Sequence, residues 1–247
     1  MNISFDGRVV VITGASVGIG RACAIRFAEG GAHLALVDVN ESGLSAVCEE
    51  VRKLGAEALT FICDISDEQA VNAVADEIIS KFGKIDVLVN NAGLWRDTTA
   101  FVDAKTELWR RYFDVNVLGT MFFTRAVLPV MMENSYGRII NVASVAGVYG
   151  NRNMVHYSMT KGALISMAQS LAKEVANYGI TVNCTSPGTV TPSTNDDINY
   201  TQPSELQYIG RTGSGAENAD LICFLASESA GYISGQNILI DGCRKKL

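Results

Sequence analysis

The sequence predicts a doubly wound α/β fold, a parallel sheet of about seven strands with helices on both faces. Two observations carry this: apolar, β-rich runs recur at intervals along the chain, and segments of helical period lie between them. The runs cover residues 9–12, 34–37, 59–62, 87–89, 139–142, 180–182 and 238–240. Each is apolar on both faces, the signature of strands in a buried parallel sheet. Alternation with helices and right-handed crossovers then gives three layers, α/β/α.

The helical segments are read from their faces. Between residues 67 and 83, Val71, Val74, Ala75, Ile78 and Phe82 fall on one side, and Ser66 with Gln69 matches a capping box. Gly31, Gly55, Gly83 and Gly179 each stand just before a strand, where a helix stops and the backbone turns left-handed. A segment over 155–178 has helical period. The stretch 189–215 is the least regular; it is polar, contains Pro192 and Pro203, and reads as a loop or lid within one domain spanning 1–247.

The bulk numbers set limits. With 247 residues, 48% of them hydrophobic and 19% charged, the chain can bury a large core. A net charge of -6, with no basic run except Arg244-Lys245-Lys246, disfavours nucleic acid as a partner. The six cysteines form no C-x-x-C pair, which fits neither a zinc site nor a disulfide framework and suits reduced thiols in the cytoplasm. The N-terminus lacks a signal core, and no uninterrupted apolar stretch approaches the roughly 20 residues needed to span a bilayer. A soluble, cytoplasmic protein without membrane or metal partners is expected.

Directly after the first strand comes Thr13-Gly14-Ala15-Ser16-Val17-Gly18-Ile19-Gly20, followed by a helical segment. Such a turn lets backbone N–H groups approach a pyrophosphate at the positive end of the helix dipole. The second strand ends at Asp38, 18 residues beyond Gly20, where a carboxylate can accept hydrogen bonds from both ribose hydroxyls and would repel a 2′-phosphate. Val17 occupies a place where an arginine or lysine would pair with that phosphate. Both positions favour NAD(H) over NADP(H), with Arg21 the nearby cation that could adapt.

Tyr157 and Lys161 are four apart near the start of a helical segment, so their side chains share a face. A phenol near pKa 10 needs its proton loosened for near-neutral catalysis. Lys161 and the positive charge of oxidised nicotinamide are expected to favour the phenolate. Ser144, just beyond the fifth strand, is placed to hydrogen-bond the same substrate oxygen.

With Asp38, Asn90-Asn91-Ala92-Gly93, Asn116, Ser144 and Tyr157-Ser158-Met159-Thr160-Lys161 following the glycine turn in that order, the chain closely resembles the short-chain dehydrogenase/reductase family over nearly its whole length. The resemblance implies a single Rossmann domain whose turn binds the pyrophosphate through Gly14, Ser16, Val17, Gly18, Ile19 and Gly20. It places Asp64 and Ile65 near the adenine, Asn91, Ala92 and Gly93 along the adenine ribose, and Pro187, Gly188 and Val190 beside the nicotinamide. Asn116, Ser144, Tyr157 and Lys161 match the catalytic tetrad; Lys161 would also bind the nicotinamide ribose, and Asn116 would hold a water in a proton relay. A tetramer or dimer is implied. Two departures stand out: Thr189-Val190-Thr191 is one residue short before its threonine, and Cys243 stands where a second glycine is usual.

The expected reaction is hydride transfer between NAD(H) and a secondary alcohol or ketone. Within that class a reductase of carrier-linked 3-oxoacyl groups is the alternative, although such enzymes usually take NADPH and carry basic residues for an acidic carrier. A catalytically silent nucleotide sensor has no need of Tyr157 and Lys161, and a methyltransferase has no role for Asn90 to Gly93. Substrate-facing residues lie after the strands: Leu94, Trp95 and Arg96, then Val145, Tyr149, Asn151, Arg152 and Asn153. Trp95 offers an apolar wall or packs the lid; Arg152 holds a carboxylate or is a solvated loop residue. His156 points away from Tyr157 and reads as structural.

Overall fold

A computed structural model of the chain describes residues 3–191 and 197–245. Its strands are β1 (Val9–Thr13), β2 (His33–Asp38), β3 (Ala58–Ile62), β4 (Val87–Asn90), β5 (Gly137–Val142), β6 (Ile180–Pro187) and β7 (Asn237–Ile240). They form one sheet in the order β3-β2-β1-β4-β5-β6-β7, every neighbouring pair parallel. The order reverses direction between β1 and β4, and in an open α/β sheet the crevice beyond the carboxyl ends at that switch point is where ligands bind.

Alternate residues of each strand feed two cores. Val10, Ile12, Leu34 and Leu36 meet α1 (Gly18–Glu29), α2 (Glu41–Lys53) and α8 (Gly215–Ala226). Val9, Val11, Ala35 and Val37 face the other layer, built from α3 (Glu68–Phe82), α5 (Thr120–Glu133) and α7 (Val155–Val175). The short helices α4 (Thr106–Phe113) and α6 (Ala146–Tyr149) stand at the carboxyl end of the sheet. Gly31, Gly55, Gly83 and Gly179 all take positive φ, between 71° and 91°, as their places before strands require.

Several local readings are corrected by the tertiary structure. The N-cap of α3 is Asp67, whose carboxylate accepts from the amides of Gln69 and Ala70. Ser66 instead donates its hydroxyl to Asp64, so the capping box expected from Ser66 and Gln69 does not form. The edge strands are not apolar-buried throughout: Thr60 and Ile62 of β3 are exposed, and β7 is only partly covered. Strand β6 runs five residues past its apolar start, through buried Asn183 and Ser186. Its polar side chains are matched within the core, Asn183 to the backbone of Ile233 and Gln236, and Ser186 to Asn237. Burial of a polar residue is tolerated where its hydrogen bonds are made.

The irregular stretch after β6 is tied to its surroundings by pairing. Bridges join Val190 to Gly213, Pro203 to Arg211, and Gln207 to Arg244 of the C-terminal tail. Pro192 and the rest of 192–196 lie outside the described residues, as does Lys246 of the basic run. The helical run Thr106–Glu133 is long and apolar enough, by length and composition, to cross a membrane. Here its Phe123, Val127 and Met131 are buried in the core against the sheet.

Candidate active site

The turn after β1 is pressed against the end of β4. A side chain on Gly14 would lie 2.7 Å from the Ala92 backbone, and one on Gly20 would lie 2.0 Å from the Gly14 carbonyl, so neither position admits a Cβ without movement. Gly14 and Gly18 also adopt positive φ. Thr13 Oγ1 accepts the amides of Asn91 and Ala92, while Asn91 Nδ2 donates to the carbonyls of Thr13 and Gly14. The helix that begins there, α1, has no side-chain cap at Val17. Its first-turn N–H groups therefore present a site for an anion such as a pyrophosphate, which fits a dinucleotide.

Asp38 ends β2 beside this turn. One carboxylate oxygen accepts the Ser16 amide and the other the Asn40 amide, both at 3.0 Å. A carboxylate offers about four lone-pair sites, so two further donors, such as a ribose diol, can be accommodated. Val17 is exposed, and Arg21, the cation that could have met a 2′-phosphate, is held by Glu50 through two hydrogen bonds of 2.9 and 2.8 Å. Asp64 lies exposed after β3 with one oxygen on Ser66; Ile65 beside it is buried against Gly119.

Tyr157 and Lys161 emerge one turn apart on α7, with Lys161 Nζ 5.8 Å from the Tyr157 ring centroid. The Lys161 ammonium donates to the Val142 carbonyl at 2.7 Å, and burial lowers its pKa to about 8. Burial also pushes the Tyr157 phenol above its ordinary value, and its hydrogen bond with Ser144 pulls it back in part. For the Tyr157 phenol removal from water is the largest effect, and one N–H of the Lys161 ammonium is given to the Val142 carbonyl, which leaves two further donors. Ser144 Oγ, just past β5, accepts the Ala146 amide, which fixes its orientation.

Asn116 is fully buried in a π-helical turn, Asp114–Gly119, between α4 and α5. Such turns are frequent at functional sites. Its amide is spent on Leu94, accepting the backbone N–H at 2.7 Å and donating to the carbonyl at 3.0 Å, and on Thr160 Oγ1 at 3.1 Å. A Cβ on Gly93 would sit 3.1 Å from Asn116 Oδ1 and 3.5 Å from Lys161 Nζ. The missing side chain at Gly93 keeps open the space between these two residues.

Residues 8–203 match the family described as short chain dehydrogenase. The chain belongs to the short-chain dehydrogenase/reductase family. It is 37% identical over 240 residues to the 3-oxoacyl-(acyl-carrier-protein) reductase of Thermotoga maritima, covering 96% of this chain and 97% of that protein. It is 35% identical over 244 residues to the Escherichia coli protein of the same name, covering 97% and 98%. Among solved structures it is similar to an NAD+-bound xylitol dehydrogenase, with TM-score 0.89, 33% identity and coverage of 96% and 99%. A levodione reductase gives the same TM-score and identity, with coverage of 96% and 97%.

In this short-chain dehydrogenase/reductase the remaining expected cofactor positions lie at and just beyond the end of β6. Pro187 ends β6, its carbonyl accepting the Val145 amide. A Cβ on Gly188 would strike the Asp241 backbone at 2.8 Å, so the chain crosses β7 closely at this point. Val190 pairs with Gly213, and the hydroxyl of Thr191, at the shortened segment, is bonded with Thr212 and Gly213. Cys243 adopts φ +55°, so it holds the backbone conformation for which glycine is usual there.

Among the substrate-facing candidates, Trp95 follows β4. It is half exposed, with the Arg96 guanidinium 5.2 Å from its ring. Arg152 is exposed, and His156 is buried edge-on against Tyr112, centroids 4.4 Å apart. Two further residues bear on the site without having been singled out. Tyr112 bonds Asp97, and Arg244 reaches Thr189 and Asn151. An aromatic residue in an amphipathic helix reads as core, and Arg244 read only as part of a basic tail; nothing local marks either.

Proposed function

We propose that this enzyme transfers hydride between NAD(H) and a secondary alcohol or ketone, with Tyr157 as the proton-transfer residue. The observation that carries the reading is Tyr157 and Lys161 one turn apart on the same face of α7, with Lys161 Nζ 5.8 Å from the Tyr157 ring centroid. In the reducing direction the neutral phenol gives its proton to the carbonyl oxygen, while Ser144 Oγ hydrogen-bonds that oxygen and orients it. In oxidation the phenolate takes the alcohol proton. A nicotinamide dinucleotide held at the glycine turn and Asp38 would supply or accept the hydride. Gly93 lies between Asn116 and Lys161, and in this reading a proton is relayed to Tyr157 from the side of Lys161.

Preference for NAD(H) is supported by Asp38 on the Ser16 amide, by Val17, and by the engagement of Arg21 with Glu50. A second reading, reduction of carrier-linked 3-oxoacyl groups, is favoured by the names of the relatives above. The net charge of -6 disfavours an acidic carrier. Exposed Leu118, Met121, Val155 and Met159 support assembly into a homo-oligomer through the helices that carry Asn116 and Tyr157, and six free cysteines suit a cytoplasmic setting.

The test is fluorescence titration with NADH and NADPH, followed by initial rates with ketones, secondary alcohols and a 3-oxoacyl thioester, for wild type and Tyr157→Phe. Tighter NADH binding, turnover of a small ketone and loss of turnover in Tyr157→Phe with NADH binding spared are expected. Tighter NADPH binding with the thioester as best substrate establishes the second reading. Binding of neither dinucleotide overturns both.

A further inference from the structure

Six arginines of this chain, Arg8, Arg21, Arg26, Arg125, Arg138 and Arg211, are paired with carboxylates. Of the other six, Arg52, Arg96, Arg110, Arg111, Arg152 and Arg244, none forms an ion pair among the described residues, and three of these, Arg96, Arg152 and Arg244, are grouped by position. All three lie on segments that follow strands at the carboxyl end of the sheet, after β4, β5 and β7 respectively. What sets these three apart is their shared position at the mouth of the sheet, on the side where the carboxyl ends of the strands lie.

The segments are stitched together through residues 151–153. Arg244 donates to Asn151 Oδ1 and to Thr189 Oγ1, both at 3.3 Å. The Asn151 amide donates to Ser158 Oγ, next to Tyr157, and the Thr99 amide donates to the Asn153 carbonyl. Arg152 sits between these ties, and Arg244 bridges the β6 end of the crevice to the start of α7. Two long contacts to neutral oxygens leave most of the five N–H donors of a guanidinium for another acceptor. A planar fork of this kind matches a carboxylate or phosphate.

We infer that the substrate is an anion, and that Arg244, with Arg152 beside it, holds its carboxylate or phosphate at the mouth of the site while the carbonyl lies at Tyr157. This rests on the hydride-transfer reading and names its substrate class. The charge has two sources, the carboxylate of a small oxo acid or the phosphates of a thioester carrier arm.

The experiment compares 3-oxobutanoate, its methyl ester and its coenzyme A thioester with saturating NADH, in wild type, Arg244→Gln and Arg152→Gln. In wild type an anionic compound is expected to lead the ester by about tenfold or more in kcat/KM. Arg244→Gln should raise KM for that compound about 10-fold to 100-fold, the range of a charge-assisted hydrogen bond, and leave the ester unchanged. Leadership by the free acid identifies the carboxylate, and by the thioester the carrier phosphates. Equal turnover of ester and anions in wild type, or equal damage to both in Arg244→Gln, overturns the inference and leaves the tail a structural tie. NADH binding with no reduction of any of the three also overturns it while the cofactor reading stands; failure to bind NADH removes both.

Discussion

The hydroxyl of Tyr112 donates to the Asp97 carboxylate at 2.9 Å and accepts the Asp97 amide at 3.1 Å. Tyr112 is fully buried, and burial with Asp97 beside it pushes its phenol to about 12. Its ring stands edge-on to Tyr157, centroids 6.5 Å apart. One residue therefore latches the loop carrying Leu94, Trp95 and Arg96 and stands against the ring of Tyr157, the proposed proton-transfer residue. Tyr112→Phe keeps the ring and removes the latch. KM for the carbonyl substrate should rise severalfold with kcat changed less than about twofold, and stability should fall by about 1–3 kcal/mol for the unpaired Asp97 groups. Steady-state kinetics and thermal unfolding measure both, and an unchanged KM would show that the loop holds without its latch.

In the proposed reading cofactor choice rests on Asp38. Replacing it in Asp38→Ser together with Val17→Arg removes the carboxylate and adds a cation at the turn. NADH affinity should fall about tenfold or more and NADPH affinity should rise, as read by fluorescence titration. Because Asp38 also secures the Ser16 and Asn40 amides, the variant should lose about 1–3 kcal/mol of stability. Unaltered NADH binding would remove Asp38 from the ribose.

Lys161 makes stability depend on pH in a definite direction. Its folded pKa of about 8 lies below the ordinary 10.5, because burial disfavours the ammonium. Below pH 8 both states are protonated and the cost of the buried charge is full. Between 8 and 10.5 the unfolded lysine keeps a proton that the folded one has released, so stability rises with pH across that window. Relative to Lys161→Met, wild type should gain up to about 3 kcal/mol from pH 8 to 10.5. Urea unfolding of both proteins at a series of pH values checks it; parallel curves would mean that the lysine keeps its charge in the fold. The same variant should lose about 10²-fold to 10⁴-fold in turnover if the lysine serves proton transfer.

Cys243 is exposed and sits at φ +55°, where a side chain costs roughly 1–2 kcal/mol that glycine does not incur. Glycine gives back part of that through its freer unfolded chain. Cys243→Gly should therefore stabilise the protein by about 0.5–1 kcal/mol with activity retained, measured by the shift in urea midpoint. A loss of stability would show that the thiol packs usefully against the tail.

Much of the scaffold was legible because its signals are local. The seven apolar runs became seven strands, and the glycines ahead of β2, β3, β4 and β6 turn left-handed as their positions require. The polar half of β6 escaped notice because Asn183 and Ser186 look like loop residues until partners some fifty positions away satisfy them. The helix start at Asp67 was misplaced by one residue because Ser66 and Asp67 are both good caps, and Asp64 claims the Ser66 hydroxyl.

By itself the sequence determined the alternation of strands and helices, the glycine turn, Asp38 at the end of its strand, and the shared face of Tyr157 and Lys161. These rest on period and spacing within a few turns of chain. The tertiary structure alone decided that Lys161 is dehydrated and bonded to Val142, that Glu50 holds Arg21, that Tyr112 latches Asp97, and that Arg244 reaches Asn151 across 93 positions. Desolvation and hydrogen bonding between distant residues depend on which segments the crossovers bring together, and no local pattern in the chain records that.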